Sequence, residues 1–306
     1  MTLFSTLLPW VLFNGFVLAM LIFDLFVLHK HARVVTLKEA LGWTAFWISL
    51  ALFFNAYIYY SQGAAPALNF LTGYVIELSL SVDNLFVFLM LFKYFRTPAS
   101  SLHKVLFYGV LGAIVMRAFF IGIGIALIED YYWMVYIFGA FLVFSGIKMA
   151  FAKNADFHPE KNPILKLFKR FFPFTEEYEN DKFWVKRAGR YVATPLFVVL
   201  IAVETTDVIF AIDSVPAILA ITLDPFIVYT SNIFAVLGLR ALYFLLSHMI
   251  TAFHHLHHGL AFILTFIGVK MVLADIFKIP TLAALGVVFG VLIISIGASL
   301  LFPEKK

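Results

Sequence analysis

The sequence predicts an all-α, polytopic membrane protein with nine transmembrane helices, forming a single transmembrane domain over residues 1–306. Three observations carry that reading. Of the 306 residues, 63% are apolar and 13% charged, with a mean hydropathy of +0.97, whereas water-soluble domains are about 45–50% apolar and about 25% charged. Mostly apolar segments recur from end to end, each long enough to cross a bilayer core of about 30 Å. Lys and Arg gather in alternate joins between those segments, as the positive-inside rule requires of a polytopic chain. Cys is absent, which excludes a disulfide framework and a thiolate metal site.

The first span, 9–28, has no basic segment before it and reads as a helix rather than a cleaved signal. The second, 37–60, ends at Gln62-Gly63 and Pro66; the third, 69–92, is parted from the fourth, 105–128, by Thr97-Pro98. The fifth is 131–152. Thr194-Pro195 reads as an N-cap followed by proline at the first helical position of the sixth span, 195–221. Asp224-Pro225 leads into the seventh, 226–250, and 259–276 and 281–302 complete the set.

The joins fix an expected orientation. Lys30, Arg33 and Lys38, then Lys93, Arg96 and Lys104, then nine bases from Lys153 to Arg190, and finally Lys305 and Lys306 all fall on one side, with Lys278 alone on the other. The expected topology has the N-terminus outside and the C-terminus in the cytoplasm. The cytoplasmic loop 153–194 is the only long join. Its centre, Asn162 to Phe174, interleaves apolar residues with Lys166, Lys169 and Arg170, which suits a short amphipathic helix on the anionic inner leaflet or a plain basic connector. The net charge of +4 marks orientation and is not a sign of nucleic-acid binding.

Two stretches of the chain match each other. Arg117-Ala118-Phe119-Phe120 resembles Arg240-Ala241-Leu242-Tyr243-Phe244, and Gly146-Ile147-Lys148-Met149 resembles Gly268-Val269-Lys270-Met271. The same registration aligns Asp83 with Asp207. Spans three to five (repeat one, 69–152) and six to eight (repeat two, 195–276) are therefore expected to be copies of one three-helix unit. One copy starts outside and the other inside, so they are inverted, a mark of secondary transporters whose substrate lies at the repeat interface.

Six carboxylates fall more than three residues inside spans: Asp24, Glu77, Asp83, Glu204, Asp207 and Asp213. Each ionised group at the bilayer centre costs about 2.5–3.5 kcal/mol on insertion scales. Arg117, Arg240, Lys148 and Lys270 are the bases within spans, and four bases cannot neutralise six acids. Such an interior favours a cation over an anion. Lys148 and Lys270 lie near span ends, where snorkelling also explains them, and Asp24, alone in its span, reads equally as structural. Glu77, Ser81 and Asn84 share one helix face, as do Glu204 and Asp207. Pro216 cannot donate to the Ile212 carbonyl, so the helix is expected to kink or unwind beside Asp213-Ser214. Carboxylate, amide, hydroxyl and carbonyl oxygens suit Mg²⁺, Ca²⁺ or Mn²⁺, without separating them. His254-His255-Leu256-His257-His258, with His248 a little upstream, reads as a polar cytoplasmic connector or as a collector of metal or protons.

Glu77-Leu-Ser-Leu-Ser-Val-Asp83-Asn84 and Glu204-Thr-Thr-Asp207-Val-Ile-Phe-Ala-Ile-Asp213-Ser214-Val-Pro216-Ala resemble the paired acidic signatures of the TerC family of bacterial membrane proteins, and its Alx-type branch in particular. The resemblance runs over nearly the whole chain. It implies location in the bacterial inner membrane and export of Mn²⁺ as transported substrate. It also implies a link to metal loading of secreted enzymes and, historically, to tellurium resistance. It places the metal among Glu77, Asp83, Glu204, Asp207 and Asp213, with Asn84 adjoining; Ser81 and Ser214, next to these acids in the sequence, are secondary candidates, as is Asp24.

The function expected is therefore a secondary transporter that exports a divalent metal, with proton exchange as the coupling and Arg117 and Arg240 pairing with carboxylates in the empty state. The alternative is a membrane partner that hands metal to secreted proteins through the secretion machinery without moving it alone. An intramembrane enzyme is disfavoured, since there is no HExxH motif and no Cys nucleophile. A tellurite oxyanion exporter would need surplus buried bases, and the surplus is acidic. No organic cofactor and no nucleic-acid partner is expected.

Overall fold

The computed structural model describes residues 3–24, 35–151, 173–175, 177–179, 181–187, 189–249 and 256–301. Ten helices account for nearly all of it: α1 (Leu3–Phe23), α2 (Leu37–Gln62), α3 (Ala64–Tyr94), α4 (Ala99–Asp130), α5 (Met134–Phe151), α6 (Pro195–Leu219), α7 (Pro225–Leu237), α8 (Leu239–Met249), α9 (Leu256–Val272) and α10 (Thr281–Leu301). A two-stranded antiparallel hairpin, β1 (Trp184–Arg187) and β2 (Arg190–Ala193), precedes α6.

Each of the nine predicted spans overlaps a helix, but they are unequal. Six helices, α2 to α6 and α10, are long and apolar enough to cross a membrane, and α7 with α8 makes a seventh if the bent pair is one span. The apolar parts of α1 and α9, Leu7–Phe23 and Leu256–Val272, are shorter. At 1.5 Å per residue they reach only about 25 Å, under the thickness of a typical core.

Local signals explain most helix ends. Thr36 opens α2 with a reciprocal capping box, its hydroxyl accepting from the Glu39 amide while the Glu39 carboxylate accepts from the Thr36 amide. Asp224 caps α7 by accepting from the Phe226 and Ile227 amides, with Pro225 at the first helical position. Thr194 precedes α6 in extended conformation but does not cap it. Its hydroxyl donates instead to the Lys182 carbonyl, 2.6 Å away, which ties the start of α6 to the segment before it.

The unwinding expected at Pro216 does not occur, since α6 is helical from Pro195 to Leu219. Packing on both sides holds it. Gly124 of α4 admits Leu219 and Val215, and Gly73 of α3 admits Ile218, closely enough that a methyl group on either glycine would lie under 3.0 Å from the incoming side chain. The broken helix is elsewhere: α7 and α8 meet at Gly238 with a 43° bend, two residues before Arg240.

α3 is the most buried of the spans and contacts α2, α6, α7, α8, α9 and α10. The most extensive helix pair is α5 with α9, and glycine explains it. A methyl group on Gly139 would lie 3.0 Å from the Gly268 carbonyl oxygen, and one on Gly268 2.7 Å from the Gly139 carbonyl oxygen. One on Gly146 would lie 2.7 Å from the carbonyl of Ala261. The backbones touch, as small residues allow between membrane helices, and the helices run antiparallel. The correspondence that carries Gly146 to Gly268 also carries Gly139 to Ala261, so the two glycine contacts exchange with each other.

The join read as a basic loop contains structure that the sequence reading omitted. β1 and β2 pair Trp184 with Ala193 and Arg187 with Arg190, and Gly189 turns the hairpin at φ +80°. The segment before it docks on the α3–α4 turn. Tyr178 donates to the Phe95 carbonyl (2.8 Å), Ser101 to the Asp181 carboxylate (2.6 Å) and Lys104 to the Asp181 carbonyl. The amphipathic helix expected over Asn162 to Phe174 lies almost wholly outside the described residues.

Candidate functional site: a buried charge junction and its satellites

Four helices meet around Arg117. The side chain leaves α4, is fully buried, and donates to Glu77 of α3 and to the amide oxygen of Asn232 of α7 at 2.9 Å. Asp207 of α6 lies 3.9 Å from its second terminal nitrogen. One cation thus faces two buried carboxylates, one from each predicted repeat. The junction is incompletely satisfied, since Arg117 Nε and Nη2 and Asp207 Oδ2 are buried without a hydrogen-bond partner. A cavity of about 10 Å³, room for about one water, adjoins Asp207 and is otherwise lined by apolar residues that include Leu85, Val110 and Leu239.

The second arginine is built differently. Arg240, at the start of α8, donates to Asp24 at the end of α1, and its guanidinium stands 5.7 Å from the Phe107 ring centroid. Asp24 therefore joins α1 to the second predicted repeat. Removing one member of a buried pair strands the other charge in a low-dielectric site.

Asp83 and Asp213 have partners outside the junction, and Glu204 lies on α6 one turn before its Asp207. Asp83 of α3 faces His257 in the first turn of α9, with Oδ1 3.3 Å from Nδ1. Asp213 of α6 accepts from Ser145 of α5 at 2.8 Å. The Glu204 carboxylate lies directly over Gly112 of α4, where any Cβ would collide with it. Neither Asp213 nor Glu204 makes an ion pair with Lys or Arg among the described residues. Ser81 and Ser214 are buried beside these acids with hydroxyl oxygens lacking partners, and Asn84 is buried as well. Among the described residues no three His, Asp or Glu side chains come together closely enough to hold a metal ion jointly.

The lysines separate. Lys270 is buried and donates to the Ala220 carbonyl at the end of α6 (3.1 Å), a favourable place for a cation at a helix C-terminus. Lys148 is exposed in the last turn of α5. Of the histidines, 254 and 255 lie outside the described residues. His248 is exposed and bonds the Phe244 carbonyl of its own helix.

Sequence reasoning did not anticipate Asn232, Ser145, Gly112 or His257 in these roles. Asn232 had a readable signal, since Thr230-Ser231-Asn232 is a polar triplet inside an otherwise apolar helix. Gly112 and Ser145 had none, because their parts depend on which helix lies opposite.

A bundle of apolar helices with buried ion pairs binding its halves together defines an integral membrane protein. The chain belongs to the Integral membrane protein TerC family, whose model matches residues 62–306. It is 49% identical over 301 residues to the "Putative membrane-bound redox modulator Alx" of Salmonella typhi, covering 95% of this chain and 94% of that one. The Escherichia coli K12 protein of the same name is 48% identical over 300 residues, with the same coverage. A Myxococcus xanthus membrane protein described as uncharacterized is 46% identical over 292 residues, covering 95% of this chain and 92% of that one. No solved structure matches the chain.

Proposed function

We propose that this protein is a secondary transporter that exports a divalent metal, Mn²⁺ by preference, from the bacterial cytoplasm in exchange for protons, and that it is not an enzyme. The observation that carries the reading is the Arg117 junction, where carboxylates from both halves share one cation. With Asp83, Glu204 and Asp213 beyond arginine's reach, the interior holds more acid than base, which suits a cation passing through. The glycine seam supports two inverted three-helix repeats, since it pairs their third helices antiparallel and reciprocally. Nine spans with the N-terminus outside follow if α1 and α9 cross where the bilayer is thin or tilted around them.

In the empty state Arg117 holds Glu77 and Asp207 and closes the path. An arriving cation supplies the charge that Arg117 supplied, and a carboxylate that releases the ion takes up a proton. Metal flux into proteoliposomes, measured with and without a proton gradient, tests this. Flux should vanish in Asp83→Asn and in Asp207→Asn, and unchanged flux in both sinks the assignment.

The Alx relatives are named as redox modulators. This chain has no Cys, so any redox effect of its own passes through something other than a thiol, and metal supply is one such route. A second reading, delivery of metal to secreted proteins, draws on the exposed bases Lys186, Arg187 and Arg190 of the anchored hairpin as a docking face for secretion machinery. Unaided transport by the purified protein would count against it.

A further inference from the structure

Asp83 differs from the other acids inside the helices in having a histidine from the opposite half beside it. His257 Nε2 lies 2.8 Å from the Met149 carbonyl oxygen near the end of α5, while Nδ1 points at Asp83 Oδ1, 3.3 Å away. A carbonyl only accepts, so Nε2 is the protonated nitrogen and Nδ1 is the one left for a cation. A metal-bound imidazole is held this way, its other nitrogen donating to a carbonyl that fixes the ring.

The spacing fits a cation. Two donors 3.3 Å apart span one edge of an octahedron with bonds of about 2.3 Å or of a tetrahedron with bonds of about 2.0 Å, lengths that divalent ions use. The pair is also reachable, with the His257 side chain 35% exposed and that of Asp83 19%, where Arg117 and Glu77 are at 0% and 1%. His258 stands edge-on to the His257 ring with centroids 5.9 Å apart. Donor type then chooses the ion. Oxygen alone suits Mg²⁺ and Ca²⁺, whereas imidazole shifts a site towards first-row transition metals.

We propose that His257 Nδ1 and Asp83 together form a two-ligand site for a first-row divalent transition ion, completed by water, and that His257 sets the preference for such ions over Ca²⁺ and Mg²⁺. This rests on the transporter reading and assigns it a specificity residue. The competing account is an ion pair that only pins α9 to α3.

Pulsed electron paramagnetic resonance on the full chain in nanodiscs with bound Mn²⁺ distinguishes them. Directly coordinated imidazole gives ¹⁴N modulation, which should change to the ¹⁵N pattern when histidine alone is ¹⁵N-labelled. His257→Gln should abolish it and lower the Mn²⁺-over-Ca²⁺ binding ratio at least about tenfold, while His248→Gln and His258→Gln leave both unchanged. Should His257→Gln fail to fold, the labelled protein with each of the other eight histidines changed to Gln still decides. Bound and transported Mn²⁺ without nitrogen modulation, or with modulation that survives in His257→Gln, overturns this site and leaves the transporter standing. Wild-type protein that neither binds nor moves Mn²⁺ overturns both.

Discussion

Arg117 and Glu77 form a buried ion pair between α3 and α4 that also reaches Asn232 of α7 and approaches Asp207 of α6. Because Glu77 and Asp207 share a single arginine, the substitutions are not equivalent. Arg117→Met leaves two uncompensated acids and should destabilise the protein by about 3–5 kcal/mol. Glu77→Gln leaves Arg117 with Asp207 and should cost less, and the double variant should recover part of the loss. Thermal melting in detergent gives the order, and an Arg117→Met protein as stable as wild type would remove the junction from the argument.

The glycines of the seam should tolerate nothing larger. Gly268→Ala places a methyl group 2.7 Å from both the Gly139 carbonyl oxygen and the Val143 amide nitrogen, backbone atoms that move only if the helices part. A loss of about 1–3 kcal/mol is expected. Gly286→Ala on α10 has open space around it and should be neutral or slightly stabilising. Equal behaviour of the two variants would show that α5 and α9 are not in backbone contact.

Gly112→Ala makes the opposite kind of test. The nearest atoms in the way all belong to the Glu204 carboxylate, the free end of a flexible side chain, so stability should change by less than about 1 kcal/mol. The carboxylate must nevertheless leave its place. A change in metal affinity with little change in melting temperature is expected, and the reverse pattern would make Glu204 a packing residue.

Acid should act on one surface contact in particular. Asp275, in the connection after α9, accepts from the hydroxyls of Tyr132 and Tyr136 near the α4–α5 turn. Those bonds hold its carboxyl below the usual range, and the Tyr132 phenol is raised in return. A depressed carboxylate contributes stability that is present above its unfolded value of about 3.9 and is lost as pH falls through the folded value. The contact should therefore be intact at neutral pH and weaken only below about pH 4. In Tyr132→Phe/Tyr136→Phe the Asp275 titration, followed by NMR, should move up towards the ordinary value; no movement would mean that the hydroxyls are not bonded to it.

The hydrophobic runs, the buried acids and the matching segments were all legible in the sequence because each depends on a residue's own chemistry. The break at Asp224-Pro225 ahead of α7 was legible on the same basis. Partners were not legible. That Arg240 would take Asp24 of α1, or that Arg117 would reach Asn232, depends on which helices become neighbours. At Pro216 the helix stays wound, against one of the two outcomes expected there, where Gly73 and Gly124 let neighbouring helices pack tightly around it. The hairpin has a local signal, since Trp184-Val185-Lys186-Arg187 and Arg190-Tyr191-Val192-Ala193 flank Gly189, but its basic residues make the same stretch look like a charged connector.

The segment ahead of α6 is stitched to the α3–α4 turn through Tyr178, Ser101 and Lys104, and to α6 itself through Thr194. Side-chain contacts thus help to keep the segment ahead of α6 in register with the α3–α4 turn, whether or not the chain is continuous between residues 151 and 173. A gene divided there should yield two polypeptides that reassemble when expressed together. The point of attachment would then act as a fulcrum, supplied by side chains instead of by chain continuity.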